Sequence, residues 1–261
     1  MIGLAAAAAT DVGKVRAANE DALFAADPVF VVADGMGGHN AGEVAAAIAV
    51  EELGRLARQA EPITAPQVVE AVAAARDRIA QLPRGPSGRA AGTTLTGAIL
   101  SSQDRRPVWL VVNLGDSRTY RLAGGVLERL TEDHSEVEEM VQAGHITPAQ
   151  ARLHPRRHVV TRALGAGVVC APQLRAIPAR AGDRVLVCSD GLTEHVGDRR
   201  IGQILRSHKD PEDAANALMR LALAAGGKDN ISVIVVDLLD TDQPTALPAN
   251  GDDQATDSFT V

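Results

Sequence analysis

Three short acidic motifs, far apart in the chain, put an aspartate where a strand-like run meets a loop. They are Val31-Val32-Ala33-Asp34-Gly35-Met36, Val187-Cys188-Ser189-Asp190-Gly191 and Lys228-Asp229-Asn230-Ile231-Ser232, the last leading into a strand. A fourth, Asn113-Leu114-Gly115-Asp116-Ser117-Arg118, ends another apolar run. A lone Asp-Gly is usually an ordinary turn. Several such carboxylates at strand ends have a sharper meaning. Buried strands fix position, carboxylate oxygens suit hard cations such as Mg2+ or Mn2+, and glycine lets the backbone approach an ion. Without cations the same carboxylates would repel one another, so ion pairing is a poor account of Asp34, Asp190 and Asp229. The chemistry that fits is metal-dependent hydrolysis.

The elements that must position these groups can be read from periodicity. Strand-like runs rich in Val, Ile, Leu and Thr cover Val29–Ala33, Thr94–Leu100, Val108–Asn113, Arg118–Leu122, Arg184–Cys188 and Ser232–Leu239. Helical spacing covers about Glu43–Gln59 and Pro66–Leu82, then Asp198–Ser207 and Pro211–Ala225, with a short helix near Glu136–Ala143. Strands that cluster without intervening helices favour antiparallel sheets with helices on their faces, an α+β layering. Residues 1–239 read as one unit, and 240–261, rich in Asp, Thr, Pro and Gln, as a disordered tail.

Composition narrows the function. A net charge of -7 leaves no electrostatic footprint for nucleic acid or an anionic membrane. The alanine-rich start lacks a basic segment, and Asp11 and Lys14 follow too soon for a signal peptide. No apolar run reaches the roughly 18 residues of a membrane span. The two cysteines, Cys170 and Cys188, form no zinc pattern, and Cys188 reads as an inert core thiol. A cytoplasmic location is expected.

The motifs, in order, resemble the bacterial branch of the metal-dependent type 2C serine/threonine protein phosphatases. The resemblance runs from Thr10 to about Asp237. It takes in Thr10-Asp11-Val12-Gly13 through Arg16 to Asn19-Glu20-Asp21, Asp34-Gly35-Met36-Gly37-Gly38-His39, Gly92-Thr93-Thr94 and Gly115-Asp116-Ser117-Arg118. Leu130-Thr131-Glu132-Asp133-His134-Ser135, Ser189-Asp190-Gly191-Leu192 and Asp229-Asn230-Ile231-Ser232 follow. The resemblance implies a four-layer α-β-β-α sandwich, two central antiparallel sheets flanked by helix pairs, with the ions in a cleft at one end. It implies that Asp34 bridges two Mn2+ or Mg2+ ions and that the Gly35 carbonyl completes one shell. Asp190 and Asp229 would bind the other ion, and Asp116 a third, weaker one. Asp21 would hold water bound to the metal, with Glu20 beside it. Residues 131–164 correspond to the family's flap. The implied partners are phosphorylated proteins, a bacterial serine/threonine kinase among them, and the chain is expected to act in signalling as a monomer.

The chemistry follows without the family. Phosphate monoesters hydrolyse very slowly, and their charge repels a nucleophile. Two ions roughly 3.5–4 Å apart lower the pKa of a bridging water, so that hydroxide exists near neutral pH, and align it for in-line attack. A planar guanidinium grips phosphoryl oxygens, and Arg16 matches the family's phosphate clamp, its bland reading being a surface arginine in an N-terminal strand. The leaving alkoxide needs a proton from a donor left unassigned. Animal members carry His after the Asp-Gly where this chain has Met36; His39, a structural role for His39, and a metal-bound water all stay open. The basic cluster Arg152, His154, Arg156, Arg157 and His158 is either a phosphopeptide contact or a solvated face. Two other functions compete: a two-metal phosphodiesterase or nuclease, which the acidic balance and missing Lys/Arg stripe oppose, and a regulatory phosphatase-like binding module, whose mark would be a lost carboxylate.

Overall fold

A computed structural model describes residues 2–37, 41–84, 90–165 and 171–240. His39, Cys170 and all of the expected tail beyond Asp240 lie outside them. One sheet is built from β1 (Ile2–Asp11), β7 (Arg118–Ala123), β8 (Val126–Arg129), β11 (Arg184–Cys188) and β12 (Ile231–Asp240), in the order β1-β12-β11-β7-β8. The other holds β2 (Asp21–Ala26), β3 (Val29–Met36), β4 (Gly92–Thr93), β5 (Leu95–Gln103), β6 (Arg106–Leu114), β9 (Leu164–Gly165) and β10 (Gln173–Pro178). Its order is β10-β6-β5-β3-β4-β9, with β2 paired to β3. Each recorded strand pair is antiparallel.

Strand alternation produces the layers. In β3, Val29, Val31 and Ala33 pack against α1 (Ala41–Gly54) and α2 (Ala65–Ile79), while Phe30 and Val32 point to the opposite sheet. In β11, Val185 and Val187 meet them there, and Leu186 and Cys188 turn the other way. After the short helices α3 (Glu136–Gln142) and α4 (Pro148–Ala151), that outer face is covered by α5 (Asp190–Thr193), α6 (Asp198–Ser207) and α7 (Pro211–Ala224). Two sheets buried on both faces and flanked by helices make the expected α-β-β-α sandwich. None of the described helices is long and apolar enough to cross a membrane.

The strand list needs correction at its start. The expected first strand was Val29–Ala33, yet β1 and β2 precede it. Alanine favours helix, so Ala5–Ala9 carries no strand signal of its own. It becomes a strand because β12 pairs it along its whole length, from Ile2 opposite Asp240 to Asp11 opposite Ile231; tertiary pairing overrides propensity. The first expected helix also divides into α1 and a 3-10 turn, Arg55–Arg58. α6 falls where its spacing places it, and α7 is capped by Asp210, whose carboxylate accepts from Glu212 N at 2.7 Å.

Arg184 closes the far end of the sheet that holds β11 and β12. Its Nε and Nη2 each lie 2.6 Å from the Asp237 carboxylate, and Nη1 donates to Leu205 O at 2.7 Å. It also reaches the carbonyls of His208 and Lys209, so one guanidinium closes the end of α6 onto β11 and β12. Arg184→Met would leave Asp237 and these carbonyls without a partner. We expect a loss of about 3–5 kcal/mol, read as a lower urea midpoint at unchanged slope. A wild-type midpoint would show that the guanidinium adds nothing.

Candidate active site

The acidic groups converge at one end of the sandwich because each stands at a strand terminus there. Asp34 lies near the end of β3, directly opposite Asp21 at the start of β2. Its backbone is tied to β4 and β5: Asp34 N donates to Thr94 Oγ1 at 3.1 Å, and Thr94 N and Thr93 Oγ1 each donate to Asp34 O at 2.9 Å. Asp190 begins α5 immediately past β11. Ser189, just before it, is fully buried and accepts from Ser232 N through Oγ at 2.9 Å. The same hydroxyl donates to Asp21 Oδ2 at 2.8 Å, which links the ends of β2, β11 and β12.

Two glycines are required by close approach. A Cβ on Gly35 would sit 2.3 Å from Gly42 O, so α1 can cross the end of β3 only over a bare backbone. A Cβ on Gly191 would sit 2.0 Å from Asn230 O, and there α5 presses on the segment that carries Asp229.

Asp229 and Arg16 are in contact. Arg16 Nη2 donates to Asp229 Oδ2 at 2.6 Å, and Asn230 N donates to Asp229 Oδ1 at 2.8 Å. The arginine side chain is 52% exposed and the aspartate 22%, so the pair is reachable from solvent. Asn230 is the residue that sequence reasoning undervalued. It is buried, accepts from Glu20 N at 2.8 Å and donates to Val12 O and Ala18 O at 3.0 and 2.9 Å. It thus pins both ends of the loop that presents Arg16. Its place in the Asp229-Asn230 motif was the available signal. Glu20 itself takes part through its backbone, with its carbonyl accepting from Gly35 N at 3.1 Å.

The electrostatics are those of a crowded anionic cleft. Burial, then the neighbouring charge of Asp190, pushes the Asp34 carboxyl well above the usual carboxylate range. Burial, then the charge of Asp116, does the same to Asp190. Burial lifts Asp21 to about 6, against hydrogen bonds from Ser232 and Ser189. Burial and the charge of Asp133 lift Asp116 to about 7. Asp34, Asp116 and Asp190 are surrounded by protein yet keep part of their surface open to solvent. Asp21 Oδ1 and Asp190 Oδ1 are buried with no hydrogen-bond partner. Orphaned carboxylate oxygens among mutually repelling neighbours suit a hard divalent cation. The 131–164 segment borders this cleft: His134 N donates to Gly115 O at 2.9 Å, and His158 Nδ1 lies 2.6 Å from Glu194 Oε1. His158, Glu194 and Asp190 each offer an atom within 4.8 Å of the others. Of the basic cluster, Arg156 is paired with Glu136 at 2.5 Å.

The raised carboxyl values have a defined consequence for the cation-free chain. Each group holds its proton more tightly folded than unfolded, so its contribution is greatest at low pH and is lost as pH climbs from about 4 through the folded values near 6 and 7. In EDTA, stability should therefore fall from pH 5 to pH 8, by up to about 1.4 kcal/mol per unit for each carboxylate. Asp34→Asn should flatten the slope, and Mn2+ or Mg2+ should restore stability most at pH 8. Melting curves across that range check it; a flat wild-type profile would mean that the carboxylates do not repel.

With this geometry in view, comparison with known proteins is direct. The family model described as Protein phosphatase 2C matches residues 14–228. The serine/threonine protein phosphatase PstP of Mycobacterium tuberculosis is 41% identical over 255 residues, 95% of this chain and 48% of that protein, so the chain spans about half of that relative's length. The serine/threonine phosphatase stp of Listeria monocytogenes is 34% identical over 239 residues, 87% of this chain and 93% of that one. Among solved structures, the catalytic domain of PstP in complex with two manganese ions superposes with a TM-score of 0.83 at 38% identity, covering 92% of this chain and all of that one. An α-β-β-α sandwich with carboxylates gathered at its strand ends, matched over most of its length, places this chain in the protein phosphatase 2C family.

Proposed function

We propose that this chain is a metal-dependent protein serine/threonine phosphatase that hydrolyses phosphoserine and phosphothreonine side chains. The observation that carries the reading is the convergence of Asp21, Asp34, Asp116, Asp190 and Asp229 on one cleft, with orphaned carboxylate oxygens and Arg16 at its edge. Asp34, the Gly35 carbonyl, Asp190 and Asp229 would hold two Mn2+ or Mg2+ ions, and Asp116 a weaker third. Bound there, the ions offset the phosphoryl charge and make water acidic enough to attack at neutral pH.

The chain's own groups do the rest. Asp21, fixed by Ser189, would orient the attacking water through its free Oδ1. Arg16 donates to Asp229 at the edge of the cleft. With a cation sharing Asp229, the guanidinium would be free to turn its fork to the phosphoryl oxygens. Asn230 limits that motion to the side chain by anchoring the loop at Val12, Ala18 and Glu20. The finer reading is a cytoplasmic, monomeric signalling enzyme opposing a bacterial serine/threonine kinase. The names of the bacterial relatives support the phosphatase activity on which that reading builds.

Three outcomes test this. Hydrolysis of a phosphothreonine peptide should require Mn2+ or Mg2+ and stop in EDTA; Asp34→Ala, Asp190→Ala and Asp229→Ala should each remove nearly all turnover from a folded chain. Activity that survives full chelation would sink the mechanism. Arg16→Ala should raise KM on peptide and on a small aryl phosphate alike, about tenfold or more for a lost charge-assisted hydrogen bond; unchanged kinetics would make Arg16 a surface residue. Asp116→Ala should keep the core ions but need more metal for full rate. Metal titrations identical to wild type would remove Asp116 from the site.

A further inference from the structure

A second charged feature lies outside the acidic cleft. Between β7–β8 and α6 is a cavity of about 170 Å3 lined by Tyr120, Leu127, Arg129, Asp198, Arg199 and Arg206. None of the acidic-cleft carboxylates lines it. In a chain of net charge -7, it gathers three guanidinium groups around a single carboxylate. That carboxylate is engaged: Tyr120 OH donates to Asp198 Oδ1 at 3.1 Å, and Arg118 Nη1 lies 3.9 Å away.

The arginines, by contrast, keep donors to spare. Arg199 has no ion pair or side-chain hydrogen bond among the described residues. Arg206 donates Nη1 to Gly125 O at 3.0 Å, a neutral acceptor. Arg129 is ion-paired with Asp133 and Glu138 at 3.5 and 3.7 Å, through Nη1 and Nη2, which leaves its Nε. The floor of the cavity is kept clear by Gly202. A Cβ there would come within 3.2 Å of Arg206 Nη1 and 3.4 Å of Leu127 Cβ. Glycine is a poor choice inside a helix, and at this position its missing side chain leaves room beside the guanidinium.

We propose that this cavity is a second oxyanion site that takes a phosphoryl group. Guanidinium forks bind tetrahedral oxyanions through paired, charge-assisted hydrogen bonds, and Leu127 and Tyr120 exclude water from one side. The volume suits a phosphate-sized group rather than a nucleotide or a drug-sized ligand. Two sources offer that chemistry: free inorganic phosphate, and a phosphorylated side chain on a peptide. The link to the rest of the chain runs through Arg129, whose ion-pair partners Asp133 and Glu138 belong to the 131–164 segment.

The site does not rest on the catalytic reading, and calorimetry of the Mg2+-loaded chain with inorganic phosphate separates the two. Two binding events are expected. The double variant Arg199→Gln/Arg206→Gln should weaken one by about tenfold or more, with hydrolysis of a small aryl phosphate unchanged. Arg16→Gln should remove the other. Gly202→Ala, which favours the helix, should weaken the same event as the double variant. One event, lost in the double variant only, would keep this site and refute phosphate capture by Arg16. A single event lost in Arg16→Gln and unmoved in the double variant would show that free phosphate is not the ligand. Titration with a non-hydrolysable phosphonate peptide then decides: weakening in the double variant assigns the cavity to a phosphorylated side chain, and no difference overturns the proposal.

Discussion

Mutual repulsion among carboxylates is the constraint on which this architecture turns. Asp21, Asp34, Asp116 and Asp190 are each pushed upward first by burial, and neighbouring acidic charge raises every one of them further. Loops alone could not hold such a set together, because each would relax away from the others. The sandwich supplies stiffness by placing the carboxylates at ends of strands whose other residues are locked in three apolar layers. Val31, Ala33, Leu186 and Val235 are fully buried, so the strand ends cannot shift without opening a core.

Close approach and buried polar links finish what the strands begin. Gly35 and Gly191 let α1 and α5 press on the backbone that carries the acidic groups. Ser189, Ser232 and Thr94 use hydroxyls to join strand ends that belong to different sheets or distant parts of the chain. These bonds lie in a poorly solvated region, where leaving one partner unmade is expensive. These links tie a site assembled from residues 16 to 230 into one hydrogen-bonded frame.

The sequence shows strand-end aspartates plainly because an aspartate where an apolar run meets a loop, twice followed by glycine, recurs four times, which ordinary turns do not do. It also shows α6, through its spacing, and α7, whose spacing is joined by a proline at its start. The alanine strand β1 was hidden because its conformation is imposed by β12 from more than two hundred residues away. Edge strand β10, with Pro178 and an exposed arginine, offers no continuous apolar run. Asn230 was legible as a motif member but not as a clamp, since its partners Val12, Ala18 and Glu20 meet it only after folding. The arginine-lined cavity, built from β7, β8 and α6, could not be read from any local spacing.

The charge of the cleft also fixes an order of events. At full ionisation, five carboxylates face one guanidinium, and that guanidinium is already held by Asp229. A phosphate dianion approaching this arrangement meets net repulsion at short range, in a region where water screens poorly. Arg16 cannot reverse it, because turning toward phosphate would abandon Asp229 to its acidic neighbours. Asp34, Asp190 and Asp229 would hold divalent cations, whose charge would offset the carboxylates and leave Arg16 less tied to Asp229. On this arrangement phosphate would be favoured only with cations bound, and the Arg16–Asp229 contact would couple the two sites.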